Sequence, residues 1–255
     1  MSSPNRVKEA LEAGKTVIGP FMKLTDPAAV EIIGHAGFDF VIIDAEHGPI
    51  SMESTQNMVR AAQCVGITPI IRVRDNDPTL ILRALDIGAG GVEVPQINKK
   101  AAAEALVSAA KFAPEGSRGV CRFVRAARYS ARPREAYFKG ANVETITIAH
   151  LEGIEAIENM EGILSVDGLD VAFIGPYDLS QSMGIPGKVQ DPAVVSKMEE
   201  VVQAAKRLGK VVGTFVDDVP TAKRWLAAGV QYISFSVDVG IFYDACARAV
   251  AELRS

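Results

Sequence analysis

The chain has 255 residues, of which 48% are hydrophobic, and it carries a net charge of −4 with a pI near 5.5. This length suits one large domain with a well-filled core, and the charge excludes a generally basic surface for nucleic acid. The cysteines have no CxxC spacing, which argues against a zinc site and favours reduced thiols. The N-terminal residues lack an apolar leader and no apolar run is long enough to span a membrane, so we expect a cytoplasmic protein with no membrane partner.

Short β-rich runs alternate with helical patterns along the whole chain. Asp26 and Pro27 predict the start of a first crossover helix that ends at Gly37, and Ser51 is a suitable cap for the next. Several of the β-rich runs are almost continuously hydrophobic, which is typical of parallel strands buried on both faces. The predicted strands cover residues 16–24, 40–47, 68–73, 91–97, 144–152, 171–179, 211–218 and 232–238.

This alternation predicts a parallel α/β fold. Eight strand-helix units in this length favour a (β/α)₈ TIM barrel over the alternative, a doubly wound open sheet. The segment "NRVKEALEAG" before the first strand predicts an N-terminal capping helix that lies across one end of the barrel. No linker interrupts the pattern, so we expect residues 1–255 to form a single domain.

Charged and polar residues collect where the predicted strands end, which in a barrel of this kind is where the chemistry lies. Carboxylates there suit a hard divalent cation, an arginine suits an anionic substrate, and a histidine suits proton transfer. The sequence therefore indicates a metal-dependent enzyme acting on an anion. The residues at the strand ends are Asp44, Glu46, His47, Arg72, Glu93, Gln96, His150, Glu152, Asp178, Asp217, Asp218, Ser236 and Asp238.

Several of these residues have a structural alternative. Alternation along the second strand predicts that Glu46 and His47 face opposite ways, and a structural salt bridge is the alternative role for Glu46. Glu93 could point into the barrel and pair with a strand-three arginine. Asp217 and Asp218 are better explained as caps of the following helix.

An arginine-rich stretch, "RGVCRFVRAARYSARPR" at 118–134, lies in the one long interruption of the pattern, residues 113–141. Long loops in a regular fold are often functional, so a role in substrate specificity is one interpretation. A solvated surface or a subunit contact is the other. Nucleic acid is not an expected partner, because the cluster is local and the protein is acidic.

The motifs "DAEHGPIS", "IIRVRDNDP", "LDIGAGGVEVPQINKKAAAEALVSAAKFAPEGSRGV", "RAARY", "HLEGIEAIEN" and "FIGPYDLSQSMG" together resemble the HpcH/HpaI aldolase family over residues 15–240. The resemblance implies a TIM barrel and a metal-dependent class II aldolase, which reversibly cleaves a 4-hydroxy-2-oxo acid into pyruvate and an aldehyde. It also implies a divalent ion (Mg²⁺ or Mn²⁺, with Co²⁺ as a further option) and a homo-oligomer, commonly a hexamer with exchanged C-terminal helices.

The resemblance also implies roles for individual residues. Glu152 and Asp178 match the metal ligands, and His47 matches the catalytic histidine with Asp44 as the aspartate that orients it. Arg72 matches the arginine that binds the pyruvate end and stabilises the enolate.

The same resemblance assigns the binding of the pyruvate carboxylate to the backbone around Gly175 and Pro176. Two residues at and near the metal site depart from the family's usual pattern. His150 stands where the family often has glutamine, so it is either a third ligand or a group that holds substrate or water, and Glu93 stands where an apolar residue is expected. Alternative functions are an acyl-CoA lyase of the citrate-lyase-like branch, an oxaloacetate decarboxylase and a non-catalytic barrel that binds a carboxylate.

Overall fold

The computed structural model describes residues 5–255, and its strands close into one parallel barrel in sequence order, with the first strand paired to the last. The predicted (β/α)₈ TIM barrel is therefore confirmed, and each predicted strand overlaps an observed one. The strands are β1 Val17–Met22, β2 Phe40–Asp44, β3 Thr68–Arg72, β4 Gly91–Val94, β5 Ile146–Leu151, β6 Val171–Ile174, β7 Val211–Val216 and β8 Tyr232–Val237.

Helices connect the strands and begin where the sequence places their caps. The side chain of Asp26 accepts a hydrogen bond from the backbone of Ala28, and Ser51 accepts one from Ser54. A 3₁₀ helix, Arg125–Ser130, lies in the long interruption. The α-helices are α1 Arg6–Glu12, α2 Pro27–His35, α3 Met52–Val65, α4 Pro78–Asp86, α5 Lys100–Ala110, α6 Arg134–Glu144, α7 Ile154–Glu158, α8 Met160–Leu164, α9 Pro176–Ser182, α10 Pro192–Arg207, α11 Val219–Ala228 and α12 Asp238–Arg254.

Alternate residues of each strand point into the barrel, and this period of two positions the polar residues. On β2, Phe40 and Ile42 belong to the interior cluster, so Asp44 follows them on the inward side. On β5, Ile146 and Ile148 are interior, so His150 follows them in the same way. The hydrophobic pattern of the strands thus places buried charges at the carboxyl end of the barrel.

The amino end of the barrel is closed by α1, as predicted. Val7 and Leu11 of this helix are buried and pack into the interior cluster. The side-chain amide of Asn5 donates hydrogen bonds to the carbonyls of Gly90 and Glu144, which precede β4 and β5. The helix is therefore attached to the strand beginnings, and the carboxyl end remains open.

The predicted strands extend too far at their carboxyl ends. β2 ends at Asp44, so Glu46 and His47 lie in a turn, and β6 ends at Ile174, so Asp178 lies in the first turn of α9. Pro176 explains the second case, since proline suits the first turn of a helix and cannot donate to a sheet. Among residues 5–255 no helix is long and apolar enough to cross a membrane, and the three cysteines are exposed and free.

Candidate active site

A cavity of about 460 Å³ opens at the carboxyl end of the barrel. It is lined by residues from seven of the eight strand ends, which the closed parallel arrangement brings to one face. All eight residues that the sequence singles out for catalysis, metal binding or substrate binding line it. They are Asp44, His47, Arg72, His150, Glu152, Gly175, Pro176 and Asp178.

Asp44 and Arg72 form the most rigid pair in the cavity. They are register partners on β2 and β3, and Arg72 donates through Nε to Asp44 Oδ1 at 2.9 Å and through Nη2 to Oδ2 at 2.7 Å. Burial would raise the pKa of Asp44, but the hydrogen bonds and charge of Arg72 outweigh it and lower that pKa. A two-pronged pair of this kind fixes the guanidinium in both position and orientation.

Within the described chain, Asp44 is hydrogen-bonded to the backbone of His47 and not to its imidazole ring. Its Oδ1 accepts the backbone N–H of Glu46 and of His47, both at 3.1 Å, and it makes no ion pair with the His47 ring within the described chain. The ring is more than half exposed, and its Nε2 lies 3.8 Å from Glu46 Oε2. Asp44 therefore fixes the turn that carries His47.

Glu46 and His47 do not face opposite ways, because the strand ends before them. Glu46 Oε2 lies 3.0 Å from Arg72 Nη1, so Glu46 forms the structural salt bridge that was the alternative interpretation. Burial is the main cause that raises the pKa of Glu46. Arg72 is consequently held by two carboxylates, and at most two of its five N–H groups remain for a ligand.

His150 lies between two buried glutamates. Its Nδ1 is 3.0 Å from Glu152 Oε2, and its Nε2 makes a short contact with Glu93 Oε1. Burial would lower the pKa of His150, but the charges of Glu152 and Glu93 raise it to about 9. Glu93 therefore pairs with this histidine, and the predicted ion pair with a strand-three arginine does not form.

Glu152 is fixed on both oxygens. Its Oε1 accepts the backbone N–H of Gln96 at 2.7 Å, which is the contribution of Gln96 to the site. Burial would raise the pKa of Glu152, but the charge of His150 outweighs it and keeps that pKa low. A side-chain carbon at Gly175 would come within 2.8 Å of Glu152 Oε2, so the glycine leaves the space beside this carboxylate open.

Sequence reasoning missed the apolar wall of the cavity. Phe21, Phe173, Phe215 and Val237 line it, and Arg72 packs with its guanidinium 4.5 Å from the centre of the Phe21 ring. Nothing in the sequence distinguishes an inward phenylalanine near a strand end from one in the core.

The paired aspartates after β7 have separate roles. Asp218 caps α11 as predicted, through a 2.7 Å hydrogen bond from the backbone N–H of Thr221. Asp217 does not cap the helix. Both of its carboxylate oxygens accept from the Tyr177 hydroxyl at 3.1 Å, and both side chains line the cavity. The Asp217 part of the cap prediction is therefore wrong.

Comparison with known proteins identifies the family of the chain. The sequence matches the family described as HpcH/HpaI aldolase/citrate lyase over residues 17–245. The chain belongs to the HpcH/HpaI family. It is 36% identical to a pyruvate aldolase of Rhizobium etli, with 93% of this chain and 92% of that protein covered. It is 35% identical to a 4-hydroxy-2-oxo-heptane-1,7-dioate aldolase of Salmonella arizonae, with 92% and 89% covered.

A solved structure supports the same assignment. An HpcH/HpaI aldolase/citrate lyase family protein from Burkholderia cenocepacia J2315 superimposes with a TM-score of 0.94 at 32% identity, covering 98% of this chain and 100% of that chain. The predicted family is thereby confirmed, and so is the prediction of a carbon–carbon lyase of the class II aldolase type.

Class II aldolases of the HpcH/HpaI family generally depend on a divalent metal ion, and the cavity suits one. Among residues 5–255, no cluster of three or more histidine, cysteine, aspartate or glutamate side chains is arranged to hold a metal alone. Glu152 and Asp178 provide two carboxylates on one wall, and Gly175 leaves space beside Glu152. Two carboxylates, with the remaining positions filled by substrate and water, are typical of Mg²⁺ sites.

Proposed function

We propose that this enzyme reversibly cleaves a 4-hydroxy-2-oxo acid into pyruvate and an aldehyde, with Mg²⁺ or Mn²⁺ as its ion and Co²⁺ as a substitute. The observation that carries the proposal is the fixed Arg72 guanidinium, which shares one cavity with His47 and with the carboxylates of Glu152 and Asp178. The names of the Rhizobium and Salmonella relatives support pyruvate as the common product.

Arg72 would bind the 2-oxo end of the substrate. Both cleavage and aldol addition place negative charge on the 2-oxo oxygen, and a donor that is already in position stabilises that charge without reorganising. Arg72 is only 8% exposed, and Asp44 and Glu46 hold it from two directions. Its remaining N–H groups are therefore available in a fixed direction.

His47 would move the proton. Its ring stands exposed at the rim of the cavity, while its backbone is anchored through Asp44. This position suits a group that takes the proton of the 4-hydroxyl during cleavage and exchanges protons at C3 of pyruvate, directly or through a water molecule. Glu46, whose carboxylate is the nearest acid to the ring, would limit how the ring turns.

Glu152 and Asp178 would hold the metal ion. When bound, the ion supplies Lewis-acid stabilisation of the charge that develops on the substrate oxygen. We propose that His150 is a positioning residue for Glu152 and that Glu93 fixes His150 in turn. The backbone around Gly175 and Pro176, which lines the same wall, would receive the pyruvate carboxylate.

The test is deuterium exchange into the methyl group of pyruvate, followed by NMR in D₂O with Mn²⁺ or Mg²⁺ and after removal of metal. Exchange that requires the metal is the expected result, because it reports proton removal at C3 without knowledge of the aldehyde. No exchange with any divalent ion would contradict the proposal, and acyl-CoA thioesters and oxaloacetate would then be tested as substrates.

We further propose a homo-oligomer, with a hexamer as the expected form. The helix α12 supports this, because residues 242–255 are all exposed although the helix carries large apolar side chains. Such a face is covered in most soluble assemblies. The exposed apolar residues are Val239, Phe242, Tyr243, Val250 and Leu253. Light scattering after gel filtration would give the mass directly, and a monomer would contradict the proposal.

A further inference from the structure

A second cavity lies at the opposite end of the barrel from the candidate active site. It has a volume of about 760 Å³, within the range of small-molecule sites. Its walls include Thr68, which is the first residue of β3, and Gly90 and Thr145, which directly precede β4 and β5. Because all eight strands are parallel, these positions belong to the amino end.

The walls of this cavity, which we call the arginine cavity, are strongly basic. One carboxylate side chain, that of Glu144, lines it against five guanidinium groups. Four of the five come from the arginine-rich stretch that the proposed reaction leaves unused. The arginines are Arg6, Arg118, Arg125, Arg128 and Arg132.

Two of these arginines form no ion pair with a carboxylate within residues 5–255. Arg6 donates to the carbonyl of Gly66 at 3.3 Å. Arg125 donates to the carbonyl of Ile87 at 3.0 Å and to the side-chain oxygen of Gln63 at 2.6 Å. Burial, and then the nearby charge of Arg60, lowers the pKa of Arg125, as expected where positive charge is not balanced.

Two buried donors in the walls have no partner in the described chain. The Tyr137 hydroxyl and Arg118 Nε make no hydrogen bond, although Tyr137 is 1% exposed and Arg118 is 6% exposed. Arg118 is otherwise tightly held, by Asp86 at 2.7 Å and over the Phe112 ring. Neither donor atom is accessible to solvent, so both lie behind the wall of the arginine cavity and do not face its open space.

We propose that the arginine cavity binds a small, multiply charged oxyanion, carried either by a phosphorylated molecule or by a polycarboxylate. Guanidinium groups bind both kinds of oxyanion through paired hydrogen bonds. The anion would balance the charges of Arg6 and Arg125. This site is separate from the metal carboxylates and from Arg72, and it stands whether or not the proposed reaction is correct.

The test is calorimetric titration of the metal-stripped enzyme with pyrophosphate and, separately, with citrate, at constant ionic strength. Removal of metal keeps both anions from binding through the active-site ion, and constant ionic strength fixes the screening of the arginines. Saturable binding of at least one anion is expected. Pyrophosphate alone would identify a phosphorylated ligand, and citrate alone would identify a polycarboxylate. Binding of neither would overturn the proposal.

Variants locate the binding. Arg125→Gln is expected to weaken it about tenfold or more, because it removes a charged donor. Arg6→Gln removes the other guanidinium that forms no ion pair, so binding should weaken severalfold while the fold persists. Arg224→Gln is the control, because this exposed arginine of α11 does not line the cavity and pairs with Glu199 on the surface. Equal affinity in wild type, Arg125→Gln and Arg6→Gln would place the anion elsewhere and overturn the proposal.

Discussion

The two ends of the barrel hold opposite excesses of charge. At the carboxyl end, carboxylates outnumber cations, and the cations present are Lys23, Arg72 and His150. At the amino end, five arginines and one glutamate line the arginine cavity. The acids of the carboxyl end are Asp44, Glu46, Glu93, Glu152, Asp178 and Asp217.

This difference shows what each end lacks. A divalent cation, which the family generally requires, would neutralise the excess of carboxylates at the carboxyl end. An anion would neutralise the excess of arginine at the amino end. The two ends also differ in rigidity. At the carboxyl end the buried charges are paired, as in the two ion pairs of Arg72 at 2.7 and 3.0 Å, whereas two buried donors at the amino end have no hydrogen-bond partner in the described chain.

The largest effect is expected at the most rigid pair. Arg72→Lys keeps the charge but cannot bind Asp44 through two parallel bonds while also reaching Glu46. We expect turnover to fall about 10²–10³-fold, the usual loss when one preorganised donor is removed. Steady-state kinetics would measure this, with Arg224→Lys on the surface as the matched control. Turnover within a few-fold of wild type would mean that Arg72 only supports the structure.

The excess positive charge at the amino end should appear as pH-dependent stability. Lys111 is 4% exposed and donates to the carbonyls of Asn142 at 2.6 Å and Thr145 at 2.9 Å. Burial, and then the charge of Lys8, lowers its pKa from 10.5 to about 8. Between these values the unfolded chain binds a proton that the folded chain has lost, so stability rises with pH, by about 3 kcal/mol in total.

Urea unfolding at pH 7.5 and 10.5 would test this for wild type and Lys111→Met. Other groups titrate in both proteins, so the difference between the two isolates Lys111. We expect wild type to gain stability relative to the variant at pH 10.5. Parallel pH dependence in the two proteins would show that Lys111 has an ordinary pKa in the fold.

A smaller effect is expected for the residues behind the metal ligands. Glu93→Gln removes the carboxylate charge that fixes His150, and His150 in turn positions Glu152. Loss of such a supporting contact typically lowers metal affinity about 10–100-fold, and we expect the lower end because Gln96 still holds Glu152. Mn²⁺ titration followed by EPR would measure it without any substrate. Unchanged affinity would make the Glu93–His150 pair a purely structural contact.

The sequence predicted the barrel well, because parallel strands buried on both faces leave long hydrophobic runs between recognisable caps such as Asp26 and Ser51. It failed at the carboxyl ends of the strands. Asp178 was predicted to lie in a strand, but it is on a helix, and Glu46 was predicted to face away from His47, but both lie in a turn. Polar residues there continue the pattern of the strand after its hydrogen bonding has ended.

The site residues could be predicted as a group, but their pairing could not. Alternation brings Asp44, Arg72, Glu93 and His150 to one end, whereas the choice of partner depends on register between strands. Asp44 and Glu93 are both register partners of Arg72, on the two neighbouring strands. Asp44 binds the guanidinium of Arg72, whereas Glu93 binds His150. The arginine cavity was less predictable still, because its walls come from α1, the strand beginnings and the long interruption.

The most direct test of the account is pyruvate deuterium exchange in Asp178→Asn and Asp191→Asn. Asp178 is exposed on α9, so its replacement should leave the fold intact, and Asp191 caps α10, where asparagine caps equally well. We predict that Asp178→Asn slows metal-dependent exchange about a hundredfold or more, whereas Asp191→Asn keeps the wild-type rate. Wild-type exchange by Asp178→Asn would contradict the placement of the metal at the carboxyl end.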